Sequence, residues 1–141
     1  MPLDDPFLPG LDIRNGAVVV DWARCGHVGD LLHEAGHLAT AAPETRDAPK
    51  LEPTPGDEMA AIAWSYAAAV HLGVPLEVLF HPAGYKGGSK ALIAAYTEQL
   101  PGQGNCYIGM PLLVAYGMAR YPGRTTADGP PPYPHMLRWI R

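Results

Sequence analysis

Two histidines and a glutamate in one short run, His33-Glu34-Ala35-Gly36-His37, are the residues best suited to chemistry. On a helix, positions i and i+4 lie about 40° apart around the axis and one turn apart along it. Imidazoles spaced that way can both reach one Zn²⁺ at about 2.0–2.1 Å. Glu34 projects about 100° from His33, so it need not bind the ion. It can instead hold a water activated by the ion and accept its proton. The competing reading is a surface His pair beside a solvated glutamate. Gly36 costs about 1 kcal/mol of helix propensity relative to alanine. Close approach of another backbone, or of a ligand, would account for it.

A catalytic zinc site has three protein ligands and one open position. The third ligand is sought at Asp57 or Glu58, 20 and 21 residues after His37. Glu58 leads a stripe through Ile62, Ser65 and Ala69, and a carboxylate on a buried helix face must be paired or metal-bound. Asp57 is the alternative ligand, or a cap of the helix start. Both acids also suit the first turn of a helix as partners of its dipole.

His81 and Tyr85 flank the glycine-rich run HPAGYKGGS. Either can donate a hydrogen bond to the oxyanion formed when water attacks a carbonyl. The alternative is a satisfied loop histidine and a half-buried tyrosine. Tyr66 reads as core, and His27 as a cap or a support for the motif. His71, about 220° around the helix from Glu58, faces away. His135 lies in a proline-rich tail. Lys86-Gly87-Gly88-Ser89 suits a capped turn or a carboxylate, and lacks the spacing of a phosphate-binding loop.

The elements that must position these residues follow from pattern and punctuation. Apolar runs flank Asn15-Gly16, a pair suited to a tight hairpin, which predicts strands at Leu11–Arg14 and Ala17–Asp21. Leu31, Leu32, Ala35, Leu38 and Ala39 recur at helical spacing, so Val28–Ala41 reads as a helix with these residues as its apolar face. Asp30 matches its dipole. The proline-rich run 43–56 is a surface loop, longer than most connections and placed to rim a binding site. A second helix, Asp57–Leu72, is apolar almost all round and therefore buried. A short turn at Leu76–Phe80, a helix at Lys90–Leu100, another from Tyr107 or Met110 to Arg120, and a helical turn at His135–Ile140 complete the chain. Residues 1–10 read as a loose arm.

The chain of 141 residues suits one domain. It holds 16 glycines and 16 prolines, so loops are abundant. Hydrophobic residues make up 48% and charged residues 17%, the balance of a chain with a core. A net charge of −4 with only ten Lys and Arg gives no basic stripe for nucleic acid. No apolar run reaches the length of a membrane span. The acidic, proline-containing start lacks the features of a secretory signal, which makes a cytoplasmic protein the expectation. Cys25 and Cys106 form no disulfide framework and read as small core residues.

The HEAGH string followed by a carboxylate one helix later resembles the zincin metallopeptidases, in the layout of their gluzincin branch. The resemblance spans about residues 28–70. It implies an α+β, mostly helical zincin-like domain with a small antiparallel hairpin. It also implies zinc on His33, His37 and Glu58, with Glu34 as general base. The expected activity is zinc-dependent hydrolysis of a peptide or small amide. The alternatives are a zinc-containing binding or regulatory module without turnover, and a zinc hydrolase of non-peptide amides or esters. Two departures stand out. Ile62 occupies the position where gluzincins often carry an Asp four residues past the ligand Glu. No histidine follows His37 until His71, unlike the extended metzincin motif.

Overall fold

The computed structural model describes residues 11–82, 88–97, 107–121 and 129–141. β1 (Leu11–Arg14) and β2 (Ala17–Val20) form an antiparallel hairpin with Leu11 opposite Val20 and Arg14 opposite Ala17. The turn is Asn15-Gly16, with φ of 51° and 76°. Both residues need positive φ there, which Asn and Gly tolerate best. β2 stops before Asp21, whose carboxylate accepts from the Ala23 amide and turns the chain.

Two helices carry the centre of the molecule, α1 (Val28–Thr40) and α2 (Pro55–Leu72). α2 starts earlier than Asp57 because Thr54 is its N-cap. The Thr54 hydroxyl accepts from the Asp57 amide at 3.2 Å, and the Asp57 carboxylate accepts from the Thr54 amide at 2.8 Å. This reciprocal pair, with proline in the first turn, satisfies the donors a helix start leaves free. Gly73, at φ 75°, closes the other end.

Three shorter helices follow, α3 (Leu76–Leu79), α4 (Ser89–Thr97) and α5 (Met110–Ala115). The fold is α+β and mostly helical, as the sequence predicts. α5 ends five residues before Arg120, because Gly117 turns left-handed at φ 74° and its amide bonds back to Val114. The helical turn expected at His135–Ile140 does not form. The amides of Leu137 and Arg138 go to the Met118 carbonyl, that of Arg141 goes to Ala39, and Met136 bridges Ala119. The expected arm at 1–10 and the end of the third predicted helix at 98–100 lie outside the described residues.

An aromatic core built from Tyr66, Phe80, Tyr96, Tyr107 and Tyr133 packs against Ala60, Ala63 and Ala67 of α2. Tyr66 and Tyr96 stack with centroids 4.6 Å apart, and the Tyr133 hydroxyl donates to the Ala63 carbonyl. By helical spacing Glu58, Ala61, Ser65 and Ala68 share a different face of α2.

α1 buries only part of the face its leucines suggest. Ala39 is buried and Leu32 packs against the core, while Leu31, Leu32, Ala35 and Leu38 are only partly covered; Gly29, His33, Gly36, His37 and Thr40 are buried as well. The reason is steric. A β-carbon on Gly36 would lie 2.7 Å from the Ala61 carbonyl oxygen of α2. One on Gly29 would lie 2.4 Å from the Val78 and Leu79 carbonyls of α3. Two side-chain-free positions seven residues apart let neighbouring backbones press onto the histidine face.

Gly36→Ala therefore tests packing against propensity. Propensity alone would stabilise α1 by up to about 1 kcal/mol. Overpacking against the Ala61 carbonyl costs about 1–3 kcal/mol. The net expectation is a lower midpoint in thermal or urea unfolding.

Candidate metal centre

Burial of the α1 face carries both motif histidines to the start of α2. His33 and His37 are 6% and 3% exposed. Both turn the same ring nitrogen inward, and their rings meet edge to face at 4.6 Å. His33 Nε2 lies 3.0 Å from Glu58 Oε2, His37 Nε2 lies 3.1 Å from that oxygen, and the two nitrogens are 3.1 Å apart. Three atoms with lone pairs thus form a nearly equilateral triangle. Such atoms repel unless a proton or a cation lies among them.

The donor set fits a divalent ion of zinc's preferences. With bonds of about 2.0–2.1 Å, tetrahedral donors are separated by about 3.3 Å. The observed spacings are slightly tighter and need only small side-chain adjustment. Glu58 keeps about a third of its side chain exposed, so one side of the triangle faces outward. Among the described residues, these three are the group able to hold an ion.

Asp57 is turned away by its capping bonds with Thr54, so Glu58 is the carboxylate that reaches the imidazoles. Burial pushes the Glu58 carboxyl up, but hydrogen bonds from His33 and His37, and their charge, outweigh it. The carboxyl titrates at about 2. Ile62 packs against the aromatic core.

Glu34 behaves in the opposite way. It is fully buried, and among the described residues neither carboxylate oxygen has a hydrogen-bond partner. Burial first, and then the charges of Glu58, Asp12 and Asp30, push its pKa from 4.5 up to about 8. Asp30 precedes it by one helical turn, a spacing that sequence alone offers. Asp12 comes from β1 and carries no sequence signal of its proximity.

His81 is not one of the converging residues. Its Nε2 is 2.7 Å from Asp30 Oδ1, and its ring stacks on His27 at 3.7 Å. Tyr85, the other candidate from that loop, lies outside the described residues, as do Lys86, Gly87 and Cys106. His27 occupies the α1 N-cap without a side-chain capping bond. Ser89 donates to the Phe80 carbonyl from the first position of α4. His71 and His135 are exposed, and His71 lies against Trp139. Cys25 is half-buried in the loop before α1 rather than in the core.

A cleft of about 400 Å³ has His37, of the three converging residues, on its wall. The 43–56 loop rims it, as its length suggests, while the parts supplied by the end of α1 and by Arg141 come from segments distant in sequence. Comparison with known protein families, curated proteins and solved structures finds no match.

The raised pKa of Glu34 makes metal-free stability fall with pH. Between 4.5 and about 8 the folded protein holds a proton that the unfolded chain releases. Glu34→Gln removes that penalty. The variant should match the parent below pH 4 and exceed it progressively up to pH 8, by on the order of 5 kcal/mol. Urea unfolding of chelator-treated protein across that range checks this.

Proposed function

We propose that this chain is a zinc-dependent hydrolase of amide bonds, acting on peptides or small amides. The observation that carries the reading is the His33–His37–Glu58 triangle together with a buried Glu34 whose carboxylate has no hydrogen-bond partner among the described residues. It agrees with the zincin resemblance of the HEAGH run and the delayed carboxylate.

His33 and His37 would hold the ion through Nε2, and Glu58 through Oε2. A bound Zn²⁺ supplies a Lewis acid that polarises a carbonyl and makes a water more acidic. Burial holds the Glu34 carboxyl away from bulk water and raises its affinity for a proton, the direction that suits a group accepting one. A Glu34 oxygen accepts the proton of the attacking water and returns it to the leaving amine. Donor convergence orients both imidazoles before substrate arrives, so little reorganisation is required.

The test combines metal analysis with hydrolysis of a broad peptide library. Protein purified without chelator should carry stoichiometric zinc, and His33→Ala or Glu58→Ala should lose most of it. Glu34→Gln should keep the zinc while hydrolysis falls by about 10²–10⁴-fold. Protein that takes up no ion, or a Glu34→Gln variant with undiminished hydrolysis, overturns the reading. Tightly held zinc with no cleavage of any library member would instead mark a binding module.

A further inference from the structure

We infer that the cleft beside His37 is a subsite for a carboxylate, and that Arg141 is the residue that recognises it. This deepens the hydrolase reading and rests on it for the identity of the substrate. The cleft brings together His37, Thr40, Lys50, Glu52, Asp57 and Arg141. Asp57 is engaged in the capping bonds of α2, and Glu52 is exposed.

Arg141 is unusually well held for a cation. Its amide donates to the Ala39 carbonyl at 2.9 Å. Its own carbonyl accepts from Arg46 Nη2 at 2.9 Å, while the same Arg46 guanidinium grips the Leu38 and Ala41 carbonyls. The Arg141 guanidinium lies 3.7 Å from the centroid of the Tyr116 ring. Its one further bond, Nη1 to the Thr40 carbonyl, is long at 3.4 Å. Among the described residues no carboxylate pairs with it. A planar fork of donors, fixed by its backbone and by an aromatic face, is prepared for bidentate contact with a carboxylate.

Position narrows the ligand. Thr40 follows His37 by three residues, about 4.5 Å along the α1 axis. Arg141 and His37 line the same cleft, so a carboxylate held by Arg141 shares that cleft with one imidazole of the candidate metal centre. The substrate class is a short chain with a carboxylate close to the bond cut, from either a peptide C-terminus or an acidic side chain.

Binding measured by calorimetry tests this without turnover. The probes are N-acetyl-Ala-Ala with a free carboxylate, its C-terminal amide, and N-acetyl-Glu-Ala amide. The free acid, the Glu peptide, or both should bind about tenfold more tightly than the Ala-Ala amide. Whichever binds identifies the source of the carboxylate. Arg141→Gln should abolish that preference, and Arg141→Lys should retain part of it. About 0.5 M NaCl should shrink it in the unmodified protein. Equal binding of all three probes, or a preference that survives in folded Arg141→Gln, overturns the inference. If Arg141→Gln does not fold, a preference indifferent to salt overturns it. Zinc content and hydrolysis are read separately, so failure here and failure of the hydrolase reading are distinct results.

Discussion

Contact between α1 and α2 at Gly36 and Ala61 decides how the chemistry-bearing residues meet. A side chain at Gly36 would hold the helices apart, because the Ala61 carbonyl occupies the space its β-carbon needs. Ala61 lies one turn beyond Glu58, and Gly36 adjoins His37. The tolerance for spreading is small, since the three donor atoms lie within 3.1 Å of one another. The thermodynamic cost of glycine in a helix is therefore coupled to the geometry of the site. The same logic applies at Gly29, where α3 presses its carbonyls against the first turn of α1.

Four carboxylates act on one another around this contact, and their compensation is uneven. Asp12 is bonded to Arg14, Asp30 to His81, and Glu58 to both motif histidines. Glu34 receives none of these. An uncompensated buried carboxylate is expensive, and proteins keep such groups mainly where a shifted pKa or an ion gives them a use. The contrast between Glu58 near 2 and Glu34 near 8 follows from environment alone, since both start from the same side chain. The two acids are thus pushed in opposite directions, one by the imidazoles it meets and the other by burial and like charge.

The last residues of the chain stabilise the end of α1 from outside. Trp64 of α2 donates its indole N–H to the Trp139 carbonyl, and the two rings meet edge to face. Arg46 gathers carbonyls from the final turn of α1 and from Arg141. Unsatisfied carbonyls at a helix C-terminus favour cationic donors of this kind. The arrangement ties the histidine-bearing helix, the long loop and the C-terminal segment into one wall.

Local rules were enough for much of the molecule. Asn15-Gly16 specified its turn because few residue pairs accept positive φ twice. The His33/His37 spacing put two imidazoles on one helix face, and Gly36 signalled a close neighbour. The α+β, mostly helical class followed from periodicity and proline placement. Other features depended on partners distant in sequence. The leucines of α1 suggested only part of the buried surface, because hydrophobic spacing cannot register that two glycines invite backbones onto the polar face. Selection of Glu58 over Asp57 required the Thr54 capping bonds, and the pressure on Glu34 required Asp12 from another element. The absence of a helix at 135–140 was decided by Met118 and Ala39, whose carbonyls took the amides a helix would have used. Sequence determined which groups could do chemistry and how they repeat along each helix. Tertiary structure alone decided which face turned inward, because burial is settled by the space that neighbouring backbones leave.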